Sequence, residues 1–160
     1  MGRKQDRTHA MKLVFRLGFA VGKPGEPADE AARYISDFAG AEYDDAPVSA
    51  PDDTAKTDKN VKIDSDYLSK TYAGVIGNLA EIDRIIDESA AGWKTERISK
   101  TDLAILRLAI YEMLFGGEVP AGVAVNEAVE LAKIYGADES PAFINGVLGN
   151  VAREIEKKEG

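Results

Sequence analysis

The sequence predicts an all-α protein, with about seven helices in a single compact domain. Three observations lead there. Apolar residues recur at three- and four-residue spacing along most of the chain, residues that start and stop helices punctuate those stretches, and no stretch shows the strict alternation of a half-buried strand. At 160 residues the chain can bury roughly 70% of the surface its unfolded form exposes, which is enough for one core.

From Lys4 to Val21 the apolar positions Ala10, Leu13, Val14, Leu17 and Val21 mark one face of a first helix, and Gly22-Lys23-Pro24-Gly25 ends it. Ala28 to Phe38 is a shorter helix with Ala31, Ala32, Ile35 and Phe38 on its stripe and Gly40 as its stop. Between Ala41 and Asn60 the chain turns acidic and turn-rich, with Asp44, Asp45, Pro47, Pro51, Asp52 and Asp53, and is expected to be an exposed loop without an assigned role. Helix resumes at Asp64 with Tyr67, Leu68, Thr71, Tyr72, Val75 and Ile76. Asn78-Leu79-Ala80-Glu81 has capping-box spacing, so a new helix is expected there, burying Leu79, Ile82, Ile85 and Ile86 and closing at Ala91-Gly92.

Ser99-Lys100-Thr101-Asp102 repeats the start signal, and Leu103 to Phe115 is then apolar nearly all round apart from Arg107 and Glu112. A helix of that composition belongs in a core, where its two charged residues must be paired to be tolerated. Gly116 and Gly117 stop it. Val123 to Tyr135 forms the next helix, with Val125, Ala128, Val129 and Ala132 inward and Gly136 as terminator. Ser140-Pro141 opens the last helix, because proline suits the first helical position, and Phe143, Ile144, Val147, Leu148, Val151 and Ile155 form its apolar face.

Composition excludes much chemistry. The chain has no cysteine, and His9 is its single histidine, which removes disulfide frameworks, thiolate metal sites, Cys-His pairs and Ser-His-Asp triads. Gly22-Lys23 runs into Pro24, which lacks the hydroxyl that a phosphate-binding loop needs. An enzyme built on scattered carboxylates alone is disfavoured, and neither a metal nor a cofactor is expected. No run approaches the roughly 20 apolar residues that cross a bilayer, and the polar N-terminus does not resemble a signal peptide, so a cytoplasmic protein without membrane contact is expected. The net charge is -8, yet residues 1–16 carry Arg3, Lys4, Arg7, Lys12 and Arg16 against Asp6 alone. Phosphates respond to the field within about 10 Å at ordinary salt, so a basic terminus on an acidic body can still dock RNA.

Four blocks carry a more specific signal. Ile105-Leu106-Arg107-Leu108-Ala109-Ile110-Tyr111-Glu112, then Val119-Pro120, then Val125 to Lys133 (VNEAVELAK), then Phe143-Ile144-Asn145-Gly146-Val147-Leu148, strongly resemble the C-terminal signature of the NusB family in order and spacing. Tyr67 to Asp83 and the basic first helix add support outside Pro24 to Lys62. The resemblance implies two packed helical subdomains and a transcription antitermination role. In that role the protein binds boxA RNA together with NusE, a small-subunit ribosomal protein, and joins elongating RNA polymerase. It also implies an RNA-binding set of Arg3, Lys4, Arg7, Phe15, Glu139 and Phe143, and a NusE-facing position at Asp102.

Each assignment has a plainer rival. Arg3, Lys4 and Arg7 lie within about one helical turn and can face adjacent phosphates, or they are a solvated helix start. Phe143 stacks an unpaired base or anchors the last helix in the core. Asp102 is explained equally by capping and by the helix dipole. Gln5 and Asp6 interrupt the basic run and Ala142 stands where some relatives are basic, so modest RNA affinity, raised by NusE, is expected. Two other readings remain open: a stand-alone relative of the RNA-binding domain fused to ribosomal RNA cytosine methyltransferases, and a helical scaffold that forms a homodimer.

Overall fold

Seven helices follow one another in the computed structural model, which describes residues 3–16, 27–40, 64–90, 97–116 and 119–159. They are α1 (Arg3–Phe15), α2 (Pro27–Gly40), α3 (Ser65–Gly77), α4 (Leu79–Ser89), α5 (Lys100–Ile110), α6 (Ala121–Tyr135) and α7 (Ser140–Glu159). No strand occurs among the described residues. The expected acidic loop, the Gly22–Gly25 stop and the Ala91-Gly92 stop lie outside them.

Helices α1 to α3 pack on one another, as do α4 to α7, and α1 laid along α5 joins the two groups. One continuous cluster runs through both, from Leu13 and Val14 through Leu68 and Val75 to Leu106, Ile110, Ile144 and Leu148. Burial at about 25 cal/mol per Å² of apolar surface makes this cluster the main source of stability. As the composition of α5 required, Leu103 to Ile110 are buried except for Arg107, which is mostly covered. Arg107 points at α4 and makes two hydrogen bonds to Asp83, from Nε (2.9 Å) and Nη2 (2.8 Å).

Several local expectations shift. The face of α6 is rotated by one residue: Ala124, Ala128, Leu131 and Ala132 are buried, while Val125 and Val129 are only partly covered. On α2 the buried residue is Tyr34, with Ile35 partly covered and Ala32 exposed. The capping box at Asn78 does not form, because Asn78 ends α3 as well as preceding α4. At φ −117°, ψ 14° its backbone has not left the helical neighbourhood, so its side chain turns back and Nδ2 donates to the Gly74 carbonyl at 2.8 Å. Glu81 pairs instead with Arg84. The Ser99 signal does work as read, with Oγ accepting from the Asp102 amide at 3.2 Å.

The last difference matters most for the site. The expected regular helix through Phe115 becomes a π-helical turn at Tyr111–Phe115, closed by the Gly116 amide donating to the Tyr111 carbonyl at 2.7 Å. Tyr111 lies against α3 at Gly74, where an added Cβ would fall 2.1 Å from the ring carbon Cε1. Only glycine allows that approach.

Candidate nucleic-acid interface

Residues 3–9 contain no apolar side chain, and the buried apolar face of α1 begins at Ala10. Hydrophobic packing therefore cannot hold the first two turns of this helix, and polar contacts do so instead. The Asp6 carboxylate accepts from the Asp64 amide at the start of α3 (3.2 Å). Arg7 reaches the π turn and grips Glu112 with Nε (2.9 and 3.1 Å) and Nη2 (2.9 Å), while its Nη1 lies 3.6 Å from Glu127 on α6. His9 Nδ1 meets the Tyr34 hydroxyl of α2 at 2.7 Å, with the two rings edge to face.

These contacts set the charge states. Burial on its own would discourage the charge on Arg7, but the hydrogen bonds and field of Glu112, aided by Glu127, hold its pKa above the ordinary value. Burial pushes His9 down to about 4, and the nearby Lys12 charge adds to the effect while Asp6 opposes it, so this histidine is neutral at pH 7.

Farther along α1 the cations approach aromatic rings. Arg16 stands 5.0 Å from the Tyr34 ring centre, and Lys12 Nζ stands 5.5 Å from that of Tyr135 at the end of α6. The second contact places α1 beside the turn between α6 and α7. In that turn Ser140 Oγ accepts from the Ala137 amide at 2.9 Å, and an added Cβ at Gly136 would come within 2.6 Å of Ser140. The close approach leaves Ala137, Asp138 and Glu139 exposed.

The sequence-derived residues therefore divide. Arg3 and Lys4 occupy the first turn of α1, and Glu139 lies in the exposed turn. Phe15 and Phe143 are partly buried against the core. Arg7 stands apart from them: its side chain is only 7% exposed and Glu112 only 5%, so it does not face solvent. Asp102 sits at the other end of α5 from Glu112, about 15 Å away at about 1.5 Å per residue. It is nearly buried, and among the described residues its Oδ1 has no hydrogen-bond partner. Sequence reasoning missed Lys12 as a neighbour of the α6–α7 turn and Glu112 as the partner of Arg7, a pairing that spans 105 positions. The one available signal was the isolated acid of an apolar helix, which demanded a cation from somewhere.

Among the described residues no three acidic or histidine side chains gather to hold a metal, and no helix is long and apolar enough to cross a membrane. The seven helices of the described residues, with a polar-tethered first helix beside the α6–α7 turn, define an all-helical fold with a cationic helix at its edge. The chain matches the NusB family model over residues 4–153 and belongs to that family. It is 39% identical to the transcription antitermination protein NusB of Clostridium novyi over 154 residues, 96% of this chain and 99% of that one. Among solved structures it is similar to NusB of T. maritima, at a TM-score of 0.73 and 28% identity over 100% of this chain and 99% of that one. It also shares its fold with a chain from the complex of antitermination factors NusB and NusE with double-stranded RNA, at a TM-score of 0.71 and 20% identity over 95% and 96% of the two chains.

Proposed function

We propose that this protein binds single-stranded boxA-type RNA of nascent ribosomal RNA transcripts together with NusE, and that the pair joins elongating RNA polymerase in the cytoplasm. The observation that carries the proposal is membership of the NusB family over nearly the whole chain. A solved complex of NusB and NusE with double-stranded RNA, on the same fold, supports RNA and NusE as classes of partner. Arg3 and Lys4 supply phosphate contacts from the first turn of α1, and Lys12 continues the cationic side toward the α6–α7 turn. There Glu139 accepts hydrogen bonds from base amino groups, and the uncovered parts of Phe143 and Phe15 meet base faces. Asp102, at the start of α5, is the NusE-facing position that the family resemblance implies.

Titration of boxA-like, scrambled and double-stranded RNA with and without NusE, at two salt concentrations, tests this reading. NusE should raise the preference for boxA, and an unchanged preference would remove the functional core of the proposal. Arg3→Ala/Lys4→Ala should weaken binding and flatten the salt dependence by about 1.4 slope units, at about 0.7 for each single-strand phosphate that is no longer neutralised.

A further inference from the structure

The buried Arg7–Glu112 pair has a use beyond stability. We propose that Arg7 and Glu112 are positioning residues for RNA binding: the pair fixes where the cationic start of α1 stands relative to the α6–α7 turn, and Arg7 itself touches no phosphate. The inference rests on the proposal that this surface binds RNA.

The geometry of Arg7 carries the first half. A guanidinium offers its donors at three nitrogens, and here Nε and Nη2 are held by Glu112 while Nη1 faces Glu127. The remaining Nη1–Nη2 edge is turned toward Glu127 in a side chain only 7% exposed, so a phosphate has little access to it. Swinging Arg7 outward would leave the Glu112 carboxylate buried without a counter-charge, an outcome that proteins avoid strongly.

The second half follows from what else holds the helix start. Residues 3–9 have no apolar side chain with which to dock, and Arg3 lies about one turn before Arg7 along α1. The direction in which the first turn points is therefore inherited from the Arg7 anchor, assisted by the Asp6 and His9 contacts. Glu112 can meet Arg7 because it is the second residue of the π turn. Its carboxylate meets Arg7 of α1, while Tyr111 in the same turn is seated against Gly74. A two-point grip also fixes angle as well as distance, which a lysine at position 7 would not do.

The decisive variant is Glu112→Gln, nearly isosteric and placed away from RNA, with RNA titrated over a salt series at a temperature where circular dichroism shows the protein folded. Removing a negative charge near a cationic surface raises RNA affinity if electrostatics alone matters. Positioning gives the opposite sign, a loss of about fivefold or more, the lower end of coupling between linked sites, with the salt slope unchanged. Folded Glu112→Gln with equal or higher affinity overturns the inference.

Should that variant fail to fold, Arg7→Met/Glu112→Leu replaces the pair by apolar residues of similar size that can still pack. The inference expects it to keep the wild-type salt slope. A slope reduced by about 0.7 would make Arg7 a phosphate ligand and overturn it. Arg3→Ala/Lys4→Ala, measured alongside, separates the two levels. If those residues do not affect binding, the placement of the RNA surface fails; if they do and Glu112→Gln does not weaken binding, only the positioning inference fails.

Discussion

Gly74→Ala tests the packing logic most directly, because intrinsic propensity and packing give it opposite signs. In a helix interior alanine is favoured over glycine by about 0.5–1 kcal/mol, so propensity alone makes the change stabilising. Here the new Cβ would fall 2.1 Å from Tyr111 Cε1 and 2.6 Å from Cζ, and the ring would have to retreat by more than an ångström. Tyr111 is buried and opens the π turn, so little room is available. Overpacking of this kind costs about 1–3 kcal/mol, which at about 2–4 °C per kcal/mol for a domain near this size lowers Tm by several degrees. Calorimetry of Gly74→Ala, Tyr111→Ala and the double variant completes the cycle. With the ring gone, the same alanine should stabilise by its helix propensity, so the sign of the Gly74→Ala effect reverses between backgrounds. A stabilising Gly74→Ala in the presence of Tyr111 would refute the reasoning and show that the ring moves freely.

Further expectations concern separate contacts. Arg107→Ala removes a two-point contact with Asp83 across α4 and α5; a loss of about 1.5–3 kcal/mol in urea unfolding is expected, and a loss below about 0.5 kcal/mol, at the scale of ordinary surface changes, would mark the pair as decorative. Ser99→Ala removes the acceptor for the Asp102 amide and should cost about 1 kcal/mol by the same measurement. His9 is held neutral by burial, with its pKa lowered from 6.5 to about 4, so the unfolded chain takes up its proton first. Its contribution to stability is complete above pH 6.5 and declines as pH falls toward 4, with a limiting slope of about 1.4 kcal/mol per pH unit. In His9→Gln that part of the pH dependence should disappear from the unfolding free energy. Asp102→Ala should weaken NusE binding while leaving stability within about 1 kcal/mol, since the removed carboxylate oxygen had no partner among the described residues.

Helix identity was legible wherever it depended on neighbours in sequence. The mostly apolar α5, the Ser99 cap and the Gly136 stop are one-dimensional signals with local physical causes, and the structure uses each; α7 instead begins at Ser140 itself, one residue before Pro141, and Ser140 Oγ accepts from the Ala137 amide. Asn78 shows the limit: the same residue fits a capping box or the end of the preceding helix, and only the phase between α3 and α4 decides. The quarter-turn rotation of α6 has the same origin, since Val125 and Val129 satisfy the spacing as well as Ala124 and Leu131 do. For the candidate site, the cations of α1 could be read but their division could not. Arg7 looks like Arg3 and Lys4 until the fold places Glu112 against it, and no local pattern encodes a partner 105 positions away.

The π turn also acts as a phase shift. Its i-to-i+5 closure accommodates one residue more than an α-helical turn, so the side chains beyond it fall back by about 100° around the axis relative to an unbroken helix. Within the turn, Leu114 and Phe115, which continue the apolar run of α5, are exposed large hydrophobic residues, 37% and 38% accessible. They line a groove with Ile85 of α4 and Val151 and Ile155 of α7. The same five residues thus hold the Glu112 grip on α1 near one end and an apolar rim of the groove at the other, so a single turn of helix serves two surfaces.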